Sequence, residues 1–318
     1  MVKVPNNKTR DFLNTAGWGS AISEPLTGDA SGRQYFRLQT GNQSAVLMDA
    51  SSVLESVAPF TRISQHLHAL GFSVPTIIAR DDKNGLLLLE DFGNDTFARL
   101  LDNQGEPEKL FTLATDVLIA LHQHPKSIPT GLRKYHPENM LADIGLFLEW
   151  CTPAISEAGK TEFKTVWREV LPLAHQVPAS LLLRDYHVAN LMLLPEREAV
   201  RQAGLLDFQD AYQGPITYDL VSLLEDARRD VPDQLREEMV ARYLARFPAL
   251  DRKAFETSLA ILAALRHTRI LAIFERLSRH GKKPDYKKLH SPRVERLLQR
   301  ALVHPKLASV KQWMERYA

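Results

Sequence analysis

The periodicity of apolar residues changes near residue 93, and that change limits the folds open to this 318-residue chain. Before it, short apolar runs at 20–26, 34–39, 45–48 and 86–89 read as strands. A short helix precedes them, and a turn-rich stretch at 27–33 separates the first two. One helical stripe interrupts the strands: Phe60, Ile63, Leu67 and Leu70, closed by Gly71. After residue 93, Leu110, Leu113, Ala114, Val117, Leu118 and Leu121 keep helical spacing until Pro125. Helical patterns recur at 137–151, at 159–174 and through most of the chain from Pro215, with short strands expected near 181–183, 191–194 and 204–207. A strand-rich third joined to a helix-rich remainder is an α+β arrangement, with its natural hinge at 90–94.

Composition excludes some classes. Apolar residues are 44% and charged residues 25% of the chain, the balance of a globular protein. A formal charge of +2 gives no electrostatic ground for nucleic-acid or membrane binding. Cys151 is the single cysteine, so no intramolecular disulfide forms and a reducing compartment fits. The first 18 residues lack the apolar core of a signal peptide and no run of 18 apolar residues occurs, so the expectation is a cytoplasmic protein without a spanning helix.

The chemistry is concentrated in Leu181-Leu182-Leu183-Arg184-Asp185-Tyr186-His187-Val188-Ala189-Asn190 and Leu205-Leu206-Asp207-Phe208-Gln209-Asp210. An Asp, an Asn five positions later and a second Asp 17 positions beyond that, each near an apolar strand, are the parts phosphoryl transfer needs. One carboxylate takes or orients the proton of an attacking hydroxyl. An amide oxygen and another carboxylate suit Mg²⁺ against a triphosphate. Asp and Asn are common in turns, and it is their order and flanking strands that favour catalysis over turn chemistry. Asp185 is therefore the expected base, and Asn190 and Asp207 the expected metal ligands.

These segments resemble the catalytic loop and metal motif of the aminoglycoside phosphotransferase and choline kinase group, kin of protein kinases, as does Ala120-Leu121-His122-Gln123-His124-Pro125. Within that group the chain looks most like the N-acetylmuramate/N-acetylglucosamine anomeric kinase family of cell-wall recycling. That likeness rests on Asp29-Ala30-Ser31 with Tyr35-Phe36-Arg37-Leu38 and Met48-Asp49-Ala50, and on Leu146-Phe147-Leu148-Glu149-Trp150. It rests also on Asp207 to Ala211 with Gly214 to Leu224, and on Arg266-His267-Thr268-Arg269 with Ile273 to Leu277. The resemblance implies a protein-kinase-like, two-lobed fold, with a β-rich lobe at 1–91 covering the nucleotide. The helical lobe, 92–318, then carries the catalytic loop, metal site and acceptor site. It implies ATP and Mg²⁺ as cofactors and a small-molecule acceptor, an amino sugar or related alcohol. Asp219 is implied to brace the catalytic loop through backbone amides.

Two positions depart from the group. Leu183 stands where a His usually precedes the base by two residues, and the third strand, Ala45-Val46-Leu47-Met48-Asp49, has no Lys to pair the nucleotide phosphates. Gly28, Ser31, Gly32 and Arg33 form the loop expected to cover the phosphates, with Arg33 as the replacement cation. No G-x-x-x-x-G-K-[ST] occurs. Glu90 and Phe92 flank the expected adenine contact, made through backbone. Asp210 is a candidate for substrate hydroxyls, and Arg266 and Arg269 for a carboxylate-bearing sugar, against the simpler reading of a solvated helix face. The rival readings are a kinase of an aminoglycoside, choline or another amino alcohol, and a nucleotide-binding pseudokinase, which the missing Lys favours.

Overall fold

The computed structural model describes residues 7–26, 32–281 and 284–318. In chain order the elements begin with α1 (Asn7–Thr15), β1 (Ile22–Leu26), β2 (Gln34–Thr40), β3 (Gln43–Asp49), α2 (Val57–Ala69), β4 (Ile77–Asp81) and β5 (Leu86–Glu90). Then come α3 (Phe97–Asp102), α4 (Pro107–Gln123), α5 (Pro137–Trp150), α6 (Glu157–Val170), β6 (Ala179–Leu182), β7 (Leu191–Leu193), β8 (Ala203–Leu205) and β9 (Tyr212–Pro215). The chain finishes with α7 (Thr217–Leu224), α8 (Asp233–Ala245), α9 (Arg252–Arg279), α10 (Tyr286–Ala301) and α11 (Ala308–Tyr317). This is the protein-kinase-like α+β fold expected from the sequence: a β-sheet at the amino-terminal end and a mainly helical remainder.

By packing, the chain forms two compact units: residues 1–105 with 189–210, and residues 106–188 with 211–318. In the first, an antiparallel sheet runs β1-β2-β3-β5-β4. Phe12 and Leu13 of α1 pack on Phe36, Leu38, Ala45, Leu47, Leu86 and Leu88, the apolar positions of one sheet face. The hairpin β7–β8 belongs to this unit because its backbone is tied there. Leu193 N–H donates to Asp95 O at 2.8 Å and Leu205 N–H to Ser73 O at 2.8 Å. Gly204 has no alternative, since a Cβ there would lie 2.7 Å from the Phe92 ring. By packing, residues 92–105 and 189–210 go with the sheet, drawn by backbone pairings the sequence does not display.

The second unit is built on α9. By length and composition this helix could cross a membrane, but 78% of its most apolar 18-residue stretch is buried inside the protein. It is a core helix, apolar on most sides because α5, α7 and α10 surround it. An aromatic cluster ties α5, α6 and α11 together. Phe163 meets Trp313 edge to face at 4.7 Å and lies parallel to Phe147 at 6.4 Å. The Trp313 indole N–H donates to Gly159 O at 2.9 Å. The two-stranded sheet β6–β9 carries the chain into the loop that holds Asp185.

Candidate active site

In the first unit, the hairpin sets the two expected metal ligands at one end. Asn190 immediately precedes β7, Asp207 lies two residues beyond the end of β8, and Leu206 N–H donates to Asn190 O at 3.0 Å. Asp207 has φ +57°, a left-handed conformation that costs a non-glycine residue about 1 kcal/mol and recurs at functional sites. Its Oδ1 accepts from Arg33 Nη2 at 2.8 Å and from Gln209 Nε2 at 2.8 Å. Gln209 Nε2 also reaches Asp210 at 3.4 Å, so Asp210 shares this network. Between them Phe208 is buried and stacks on Phe60 of α2 at 5.1 Å, which anchors the turn. An amide oxygen and a carboxylate are hard donors fitted to a divalent cation that keeps water or phosphate as its other ligands. Among the described residues no cluster of three or more His, Cys, Asp or Glu offers a rival metal site.

Arg33 is 6% exposed, so the cation sought for the missing strand Lys is ordered beside Asp207 rather than solvated. Met48 is wholly buried between Tyr35 on β2 and Leu87 on β5, where a Lys would have to be desolvated. Gly32, φ +80°, accepts from Ser52 Oγ at 2.6 Å. Gly28 and Ser31 lie outside the described residues. The Glu90 carboxylate accepts from Thr76 Oγ1 at 2.8 Å and pairs with Arg197, whose guanidinium lies 5.1 Å from the centre of the Phe92 ring. Both side chains are thus occupied within the unit, which leaves backbone groups for a ligand. Sequence reasoning missed the brace of this linker. Arg37 pairs with Asp91 at 2.8 Å and donates to Gly93 O at 2.6 Å, and only folding brings β2 to residue 91.

In the second unit, Asp219 at the start of α7 is 1% exposed. It accepts the backbone N–H groups of Leu183 at 2.6 Å and Arg184 at 2.8 Å, fixing the loop just before Asp185. Burial pushes its carboxyl up to about 7 against the pull of those two N–H groups. Leu183 is buried and its N–H is taken, so the absent His leaves no gap in the loop. Arg184 has φ +77°. The Tyr186 hydroxyl donates to Ala114 O at 2.8 Å, pinning the loop's far side to α4. His187 is buried near Asp226, Arg228, Asp185 and Arg266, and burial lowers its pKa, which keeps the imidazole neutral.

Arg266 and Arg269 are not a solvated face. Arg266 is 3% exposed and donates to Glu225 O at 3.3 Å, with Asp226 and Asp185 nearby. Next to it His267 Nε2 meets Glu225 Oε2 at 2.7 Å, and Arg300 meets Glu225 Oε1 at 3.0 Å. Arg269 faces Asp143, 3.8 Å away, and is also within electrostatic reach of Asp185. Asp143 gives no signal in the sequence, where it is a lone acid on an amphipathic helix. A separate cavity of about 760 Å³, edged by Trp150, Cys151, Glu275 and Met314, holds none of the expected site residues. Burial pushes the Cys151 thiol up to about 12, so it is inert.

Known proteins resemble the chain along most of its length. It is 34% identical over 346 residues to an N-acetylmuramate/N-acetylglucosamine kinase of Caulobacter vibrioides, covering 96% of this chain and 94% of the other. It is 33% identical to the protein of the same name from Pseudomonas aeruginosa, with 92% and 89% covered. Among solved structures, a choline/ethanolamine kinase family protein of Mesorhizobium loti superposes with a TM-score of 0.64 at 16% identity, over 95% of this chain and 96% of that one, a likeness of fold. The model of the phosphotransferase enzyme family matches residues 23–255, which include the loop that holds Asp185 and the β7–β8 hairpin, and the chain belongs to that family.

Proposed function

We propose that the protein transfers the terminal phosphoryl group of ATP to the anomeric hydroxyl of an N-acetylated amino sugar, N-acetylmuramate or N-acetylglucosamine, in cell-wall recycling. The observation that carries the acceptor is the shared name of relatives aligned over nearly the whole chain. The chemistry is carried by the braced loop before Asp185 and by the hairpin that joins Asn190 to Asp207. The sugar hydroxyl oxygen attacks the terminal phosphorus, the bond to the bridging oxygen breaks, and ADP leaves. Asp185 orients the hydroxyl and takes its proton. Asn190 and Asp207 would hold Mg²⁺, which would neutralise charge on the phosphates. Arg33 leaves Asp207 for the nucleotide phosphates. In this reading residues 1–91 cover the nucleotide with the 28–33 loop, Glu90 and Phe92 border the adenine, and Asp210 faces the acceptor.

The buried Met48 supports a second reading, a nucleotide-binding protein without transfer. ADP release measured over amino sugars, aminoglycosides and amino alcohols, with phosphorus NMR of the product, separates the readings. Release with the amino sugars and an anomeric phosphate resonance is the expected result. Release only with choline or an aminoglycoside, or nucleotide binding without release, overturns it.

A further inference from the structure

Two guanidiniums converge on one carboxylate in the helical unit. Asp143 on α5 accepts from the Tyr135 hydroxyl at 2.7 Å and pairs with Arg184. Arg184 is held in place by the rings of Tyr135 and Tyr212, at 5.5 and 5.2 Å, and Arg133 covers Tyr212 from 3.9 Å. Asp143 is thus committed to Arg184 and Tyr135. Arg269 stands 3.8 Å from the same carboxylate, too far for a hydrogen bond, and its guanidinium makes no hydrogen bond to a described residue. Its side chain is 20% exposed, so much of its hydration has been removed in return for one long ion pair to a carboxylate that Arg184 already holds. A guanidinium left in that state is a prepared anion site. Asp185 acts on it electrostatically, which sets the site in the surroundings of the base. Arg266, by contrast, spends its charge on Glu225 O, Asp226 and the core.

We propose that Arg269 is the specificity residue for the acceptor, pairing with the carboxylate of an acidic amino sugar; the inference rests on the sugar-kinase reading above. N-acetylmuramate carries a lactyl carboxylate that N-acetylglucosamine lacks. The planar fork of Arg269 takes such a carboxylate through two N–H donors, and a neutral sugar gains nothing from it.

The measurement is the ratio of kcat/KM for N-acetylmuramate to kcat/KM for N-acetylglucosamine, in the wild type, Arg269→Ala and Arg269→Lys, with KM for ATP alongside. Loss of a charge-assisted contact corresponds to about 10- to 150-fold. Arg269→Ala is expected to lower the ratio by that factor and Arg269→Lys to restore part of it. A wild-type comparison needs no variant to fold: the methyl ester of N-acetylmuramate is expected to lose the same factor against the free acid. Equal losses on both sugars, a rise in KM for ATP alone, or an ester as good as the acid would overturn the inference while leaving the sugar-kinase reading intact. If the wild type turned over neither sugar, that reading would fall first and this inference with it.

Discussion

Arg33 and Asp207 illustrate what single residues contribute. They are 174 positions apart and meet at 2.8 Å. A guanidinium on a carboxylate proposed to ligate metal would compete with the cation, and it would also hold the carboxylate in place until ligand arrives. Arg33→Ala is therefore expected to act in two directions. Mn²⁺ binding without nucleotide, followed by electron paramagnetic resonance, should tighten, while KM for ATP should rise by about 10- to 150-fold as a phosphate contact is lost. Weaker Mn²⁺ binding would show that the pair builds the metal site rather than guards it. Asp185 invites a simpler test. Asp185→Asn keeps the shape and removes the proton acceptor, so kcat should fall by about 10²- to 10⁴-fold with ATP affinity nearly unchanged. Retention of a tenth of the wild-type rate would take the base role from Asp185.

At the scale of elements, the two hydrogen bonds between α7 and the loop after β6 fix the backbone just before Asp185. Asp219→Asn replaces one acceptor oxygen with an NH₂ group that faces a backbone N–H, a change of roughly 1–3 kcal/mol. The variant should melt lower and lose kcat more than substrate affinity. Because burial raises the folded-state pKa of Asp219 from 3.8 to about 7, its stabilisation is complete below about pH 4 and declines as pH rises through 7. The substituted amide would not titrate, so the stability gap between wild type and variant should be wider at pH 5.5 than at pH 8.5 in urea denaturation. A gap that stays constant between those two pH values would show the carboxylate to be ionised in the fold throughout. Several elements were legible beforehand: β1, β2, β3 and β5, α2 and α4 fall where spacing placed them. Others were not. β4 is an edge strand with Ile78 half exposed, so its alternation is weak. β9 contains Gly214 and Pro215, turn residues by type, and is a strand only because β6 pairs with it. α3 is too short to show a period and is defined by its Thr96 cap.

For the whole molecule, stability of the helical unit rests on a few large side chains. Trp313 joins Phe163, Phe147 and the Gly159 carbonyl, so Trp313→Ala should cost about 3–5 kcal/mol, the range for emptying a buried aromatic site. Chemical denaturation followed by tryptophan fluorescence and by circular dichroism would measure it, and a cost below about 1 kcal/mol would show that the aromatic cluster repacks. The sequence alone determined the class of the fold, through the change of period near residue 93. It also singled out Asp185, Asn190 and Asp207 as the candidates for phosphoryl-transfer chemistry, because their types and spacing are local and chemically restrictive. Tertiary structure decided which charges remain available. Arg33, Arg266 and Arg269 read alike as basic residues in a loop or on a helix. Folding gives Arg33 a carboxylate at 2.8 Å and Arg266 a buried carbonyl, and it leaves Arg269 beside an acid already occupied by Arg184. Electrostatic roles depend on desolvation and on partners distant in sequence, and no local pattern of residues encodes either.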